Sequence, residues 1–488
     1  MNDKNRFLKA SLSKLFVFGI FGLFFSACQQ NASENQPLNV LFISIDDLRP
    51  ELNSYGKSQI ISPNIDQIAS EGILFKRAYC NIPVCGASRA SLLTGIYPTA
   101  TRFTDYKTRV DEEATGIVTL PEHFKNNGYY TSTIGKIFHH PDDGLNGWSK
   151  EPYRPDYPTT NAQQELWRDY QSPENQGTKK VKLPLGGAGP AWEAGEVDDT
   201  VYYDGKTTQL ALEELERLSE ENQPFFFGLG YIRPHLPFNA PKKYWDLYDP
   251  NDIDLPDNYH MPENGPQDAW FNFQELRSYT NIADDTLPIP ENQVSTLRHG
   301  YYACVSFIDA QIGKVIKKMK ELGIYDNTII VISGDHGWSL GEHTLWCKHS
   351  CFNTAIQSTL IIKSPEIEGG GSTQSLASFV DIYPTVAELA GLERPDHLVG
   401  KSLLPILENP SSSVNAHVFA RWRNGETIKN DRFAYTQYYD EAGKVKSSML
   451  YDHANDPEET INIVTLPDYQ DEIADLKAEL EKHINSRK

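Results

Sequence analysis

The sequence predicts an α/β protein: a large, mostly parallel β-sheet flanked by helices, followed by a small C-terminal α+β subdomain with an antiparallel sheet. Three observations carry this. Short apolar runs at residues 39–45, 224–230 and 328–333 have polar borders and no alternation, the pattern of strands covered on both faces. Helical apolar spacing lies between them. From about Asn415 the pattern turns to alternating segments, at 418–422 and 432–439, as in strands with one buried face.

Taken in order, the chain opens with a secretory pattern. Lys4, Arg6, Lys9 and Lys14 precede the apolar run 15–25, and Ser26-Ala27-Cys28 follows. The strand at 39–45 comes next. A helix is predicted over 62–72, with Ser62 as N-cap, Pro63 in the first turn, Ile65, Ile68 and Ala69 on one face, and Gly72 at the end. A helix over 120–127 leads into a strand over 129–134. Residues 141–195, rich in Pro, Gly, Asp and Trp, read as a long irregular insertion. A helix over 204–221 and the strand at 224–230 follow, then a second irregular stretch, 240–295. Ala303, Phe307, Ile308, Ile312, Val315 and Met319 mark a helix over 297–322, closed by Gly323. After the strand at 328–333, residues 376–391 read as a strand-to-helix transition, and 471–484 as a closing helix. The implied division is a leader over 1–27, a main domain over 28–410 and the subdomain over 411–488.

Net charge is −21; losing residues 1–27 removes four basic residues and one acid and leaves −24. Such a surface excludes nucleic acid as a partner and repels polyanions at long range, so any anion site needs locally concentrated positive charge. The six cysteines include no CxxC pair and match no zinc ribbon. Cys347 and Cys351 are the nearest candidates for a disulfide, with two free thiols as the alternative.

Chemistry concentrates at strand ends. The run 39–45 leads into Asp46-Asp47, and the run 328–333 leads through Gly334 into Asp335-His336. Alone, each pair reads as a turn or cap. Together they place carboxylates at the sheet edge where α/β proteins bind ligands, and such a group calls for a cation. Carboxylate oxygens favour Ca²⁺ or Mg²⁺, and Ca²⁺ above all; His336 leaves a transition metal open. Cys85-Gly86-Ala87-Ser88-Arg89 puts a thiol at a helix start, where free N–H groups and the dipole favour an anion. Lys136 and His139, in Gly135-Lys-Ile-Phe-His-His140, follow strand-like runs, as does His235 in Arg233-Pro-His-Leu-Pro-Phe238. Lys348 stands in Trp346-Cys-Lys.

Cys85 to Arg89, continuing to Thr94-Gly95, resembles the Cys-x-Ala-x-Arg signature of type I sulfatases. The resemblance extends through Asp46-Asp47, Gly135 to His139, Tyr231 to Phe238, Gly334 to His343, Lys348, Leu450-Tyr451-Asp452 and Asp456-Pro457. The Asp335-His336-Gly-Trp and Gly-Lys-x-Phe-His patterns are most similar to the iduronate-2-sulfatase branch; many other sulfatases have Asn at the place of His336. The resemblance implies an alkaline-phosphatase-like fold and one Ca²⁺ held by Asp46, Asp47, Asp335, His336 and residue 85. It implies that a maturation enzyme converts Cys85 to Cα-formylglycine during export. Its hydrate then attacks sulfur while Lys136, His235 and Lys348 stabilise the sulfuryl oxygens. His235, or Lys348, protonates the leaving alcohol, and His139 takes the proton that lets sulfate leave. Arg89 supports residue 85 rather than substrate.

The expected substrate is a sulfated sugar from a uronate-containing glycan, glycosaminoglycan or ulvan-type, held between the two insertions with Trp338, His343 and Arg102 as further contacts. Cys28 resembles a lipobox cysteine, implying an exported protein, periplasmic or on the cell surface, with lipid on Cys28 as its only membrane attachment. The rivals are a phosphatase or phosphonate hydrolase of the same superfamily, and a glycan-binding lipoprotein in which Cys85 stays unmodified.

Overall fold

The computed structural model describes residues 37–155, 170–176, 189–271, 274–282 and 288–487. The leader, Cys28 and much of the 141–195 insertion lie outside the described residues.

Seven strands form the central sheet: β1 (Asn39–Ile45), β2 (Ile73–Phe75), β3 (Tyr130–Gly135), β4 (Phe225–Tyr231), β5 (Thr328–Gly334), β6 (Leu360–Lys363) and β7 (Gly371–Thr373). Their order is β7-β2-β6-β5-β1-β4-β3. Only β6 opposes its neighbours, pairing antiparallel with both β5 and β2. The three apolar runs are thus three adjacent interior strands, with β1 between β5 and β4.

Continuous apolar sequence is explained by layers on both faces. Leu41, Ile43 and Ile45 enter one core, with helices α1 (Pro63–Glu71), α4 (Tyr203–Ser219) and α5 (Glu291–Glu321). Val40 and Phe42 enter the other, with α2 (Cys85–Thr94), α3 (Leu120–Asn126) and α6 (Ile382–Leu389). Each such buried side chain contributes about 1.5–3 kcal/mol. Helix α5 starts earlier than the expected 297, because its polar first turn offers no apolar period to read.

The tail forms an antiparallel meander: β8 (Val418–Trp422), β9 (Gly425–Lys429), β10 (Phe433–Tyr439) and β11 (Val445–Asp452). Helix α7 (Gln470–Ser486) covers it, setting Leu476 and Leu480 on Ile428, Phe433, Tyr435 and Leu450.

Register positions the site. Ile45 lies opposite Gly334 on one side and Tyr231 on the other. Asp46 and Asp335 therefore leave adjacent strands at the same level. Gly135 lies opposite Gly230 at the end of β3. A Cβ on Gly135 would meet the Gly230 carbonyl oxygen at 2.0 Å, so glycine lets the chain turn there, at φ +79, and deliver Lys136 to the same edge.

Candidate active site

Asp46, Asp47, Asp335 and His336 are all buried, and one ligand atom from each lies within 4.8 Å of the others. The Cys85 sulfur forms an equally tight group with Asp46 and His336. The Asp47 N–H, in left-handed backbone at φ 62, donates to Asp335 Oδ1 at 3.0 Å. His336 Nδ1 pairs with the Gly337 carbonyl at 2.9 Å, which makes Nδ1 the donor and turns the Nε2 lone pair inward. Among the described residues Nε2 has no hydrogen-bond partner, and it lies 3.5 Å from Asp47 Oδ1 and 3.7 Å from Asp335 Oδ1. A lone pair facing two carboxylates is a poor arrangement by itself and a good one around a cation. The donor set therefore fits a resident metal ion held by Asp46, Asp47, Asp335 and His336.

Burial holds Asp47 well above the usual carboxylate range even beside Lys348. At Asp46 burial is outweighed by Lys136 and Arg89, and the carboxyl sits well below that range.

Cys85 is the first residue of α2, buried at 4% exposure. Arg89 is one turn on, so it shares the face of Cys85. Its Nε donates to Asp335 Oδ2 at 2.9 Å and Nη2 to Asp46 Oδ1 at 3.3 Å. Its Nη1 donates to the carbonyls of Lys136 at 2.5 Å and Ile137 at 3.1 Å. The guanidinium is thus absorbed by the protein itself. The Ser88 hydroxyl donates to the Asp335 carbonyl, tying α2 to the end of β5.

Besides Arg89, three basic side chains border the acids. Lys136 Nζ lies 2.5 Å from Asp46 Oδ2. Lys348 Nζ donates to Asp47 at 3.2 and 3.3 Å and stands 4.8 Å above the Trp338 ring. Burial pulls the Lys348 ammonium down, but Asp47 and Glu275 outweigh it and hold the ammonium well above its usual value. His235 lies 3.9 Å from Asp47 Oδ2 and 6.4 Å, ring to ring, from Trp338. The loop carrying His235 is anchored by buried Asp204 on α4, which accepts from the Ile232 and Arg233 N–H groups at 2.8 and 3.0 Å. Burial pushes the Asp204 carboxyl up to about 6.

His139 stands beside this group, packed on His140 at 4.8 Å between ring centres, and burial and Lys136 hold it well below its usual value. Two expected contacts are engaged elsewhere. His343 Nε2 binds the Glu458 carbonyl at 3.0 Å and its ring packs on Phe352 at 4.2 Å. Arg102 donates to the Tyr97 carbonyl at 2.9 Å. Cys347 and Cys351 are free thiols, as are Cys80, Cys85 and Cys304, so the candidate disulfide is not formed.

One site residue had no sequence signal. Glu275, in the short helical turn Gln274–Arg277 within the irregular stretch 240–295, accepts from Lys348 Nζ at 2.9 Å and lies 3.0 Å from His235 Nε2, both through Oε1. Burial pushes its carboxyl up, but Lys348 and the His235 hydrogen bond prevail and hold it well below the usual range.

The sulfatase family model matches residues 38–392, and a model described as "N-sulphoglucosamine sulphohydrolase, C-terminal" matches 341–486. Iduronate 2-sulfatase of Mus musculus is 33% identical over 420 residues, covering 79% of this chain and 74% of that protein. A structure solved in complex with its substrate, D-glucosamine-2-N,6-O-disulfate, superposes with a TM-score of 0.71 at 22% identity, over 93% of this chain and 98% of that one. The phosphonate monoester hydrolase of Agrobacterium radiobacter superposes at 0.73 and 22%, over 91% and 96%, so shape alone does not separate sulfur from phosphorus chemistry. The family match and the 33% relative do: the chain belongs to the sulfatase family, close to its iduronate-2-sulfatase branch, and is a sulfuric ester hydrolase.

Proposed function

We propose that this sulfatase removes sulfate from sugars of a uronate-containing glycan or its oligosaccharides, glycosaminoglycan or ulvan-type, using a Cα-formylglycine made from Cys85. The observation that carries the reading is one buried edge joining Cys85, the acids Asp46, Asp47 and Asp335, and the cations Lys136, His235 and Lys348. The mouse relative's name and the disulfated glucosamine bound in the solved structure support a sulfated sugar. Three carboxylates favour Ca²⁺ as the resident ion. Asp46, Asp47, Asp335 and His336 would hold the ion, which would supply positive charge to the site.

In this reading one hydrate oxygen of residue 85 gives its proton to Asp335 and attacks sulfur as the bond to the sugar oxygen breaks. His235 delivers a proton to that oxygen, while Lys136 and Lys348 hold the sulfuryl oxygens. His139, kept neutral by burial and Lys136, takes the proton from the second hydroxyl. The carbon–oxygen bond to sulfate then breaks and the aldehyde returns. The protein acts as an exported lipoprotein held by lipid on Cys28, and a separate maturation enzyme supplies the aldehyde.

The test is production with such an enzyme, then intact mass and turnover of defined sulfated oligosaccharides. Conversion lowers mass by about 18 Da, because S and two H give way to O. Desulfation of uronate-containing oligosaccharides, lost in Cys85→Ala with the fold retained, is the expected result. Full activity in Cys85→Ala refutes the nucleophile. Turnover confined to the phosphate of a matched pair of aryl esters refutes the substrate.

A further inference from the structure

We infer that Glu275 is a positioning residue that aims His235 at the leaving-group oxygen and sets its distance from Lys348; the inference rests on the proton-delivery role proposed for His235. The geometry is a bridge. One oxygen, Oε1, takes Lys348 Nζ at 2.9 Å and His235 Nε2 at 3.0 Å. The other ring nitrogen, Nδ1, is held by the Leu236 carbonyl at 2.6 Å. Both partners of the ring are acceptors, so both nitrogens act as donors. A ring gripped at both edges cannot turn about its long axis without breaking a bond. The proton that the leaving oxygen needs therefore sits at Nε2, where Glu275 Oε1 takes it until the leaving oxygen enters on the side shared with Lys348 and Asp47.

Burial orders the three groups. Side-chain exposure is 2% for Lys348, 12% for His235 and 20% for Glu275, so the carboxylate lies outermost. It borders the open side of the cation pair instead of backing it. Lys348 also has Asp47 to hold it, whereas for the His235 Nε2 the nearer of the two carboxylates at the site is Glu275, at 3.0 Å against 3.9 Å for Asp47. Loss of Glu275 should therefore disturb His235 more than Lys348. The consequence is selective: proton delivery weakens, while cation binding of the sulfuryl oxygens persists.

Leaving-group dependence reads this directly. A good leaving group departs without a proton, and a poor one does not. The experiment compares the matured wild type, Glu275→Gln, Glu275→Asp and His235→Ala on aryl sulfates whose phenols span low to high pKa. The expected result for Glu275→Gln is a kcat loss of roughly tenfold to a hundredfold on the poorest leaving group and under about threefold on the best, with KM little changed. Glu275→Asp should recover part of the loss. An equal loss across the series, or a loss in KM alone, overturns the inference. His235→Ala separates the two ideas. If it is insensitive to leaving group, the proton-delivery reading fails; if it is sensitive and Glu275→Gln is not, only the present inference fails. A crystal structure of Glu275→Gln gives a check without turnover: an unmoved His235 ring also overturns it.

Discussion

Arg89→Met isolates what the buried guanidinium does, because methionine keeps most of the stem volume and removes the charge and its donors. Two carboxylates lose a cation: Asp335 at 2.9 Å and Asp46 at 3.3 Å. Two carbonyls, those of Lys136 and Ile137, lose a donor. Asp46 keeps Lys136 at 2.5 Å, and Asp335 Oδ1 keeps the Asp47 N–H. The cost therefore falls mainly on Asp335 Oδ2, left in the interior without a cation. Hydrogen bonds to charged groups contribute about 1.5–3 kcal/mol each, and breaking a buried ion pair from one side costs about 3–5 kcal/mol. Allowing for the partners that remain, the expected loss is about 3–5 kcal/mol. Urea denaturation of the metal-free proteins, followed by tryptophan fluorescence, measures it as a fall in midpoint at unchanged slope. A loss below about 1 kcal/mol refutes the reasoning, because it would mean that the carboxylates were never dependent on Arg89 for compensation.

Chelation should lower the melting temperature and added calcium restore it, since an ion bound only by the folded edge stabilises the folded state; an unchanged melting temperature counts against the metal site. In matured protein, His139→Ala should keep the first sulfur transfer and stall the second, so intact mass after substrate shows a gain of about 98 Da over the aldehyde form, the mass of SO₃ plus the water of hydration on residue 85. Normal turnover without that adduct removes His139 from the mechanism. Buried Lys429 donates to Asn353 at 2.9 Å and lies 3.1 Å from His453, and burial pulls it down to about 7 despite Glu459. Between pH 7 and the usual lysine value the unfolded chain holds the proton and the folded chain does not, so stability rises with pH there, by up to about 1.4 kcal/mol per pH unit. Below pH 7 both states hold it and this slope vanishes. Lys429→Met should flatten the rise in urea midpoints between pH 7.5 and 9.5; an identical slope in both proteins refutes the shift.

Much of the edge was legible because parallel strands buried on both faces need unbroken apolar runs, and the acids stand at their ends. Register then does the rest: Ile45 opposite Gly334 brings Asp46 beside Asp335. Residues outside that logic were not legible. Glu275 owes its place to Lys348 and His235, which lie 73 and 40 positions away in sequence, and no local period announces it. Strand β9 was missed because Glu426 and Lys429 look like surface residues; in the fold Glu426 meets Arg421 at 2.9 Å, and both are buried. His343 drew attention by following Glu342 near the Asp335-His336 pair. Its backbone is left-handed, φ 53, and its ring packs on Phe352.

The seating of α2 also fixes a chronology. Cys85 is 4% exposed, at the start of a ten-residue helix whose every residue is buried. An enzyme must engage several residues of extended chain to work on one side chain, and this segment offers none once the sheet edge has closed over it. On the proposed conversion of Cys85, the thiol has a deadline: it is converted while the chain is still open, or it is sealed in as cysteine. Production of active protein becomes a race between two rates, and slowing the closure of the edge should raise the converted fraction without changing a residue of the site.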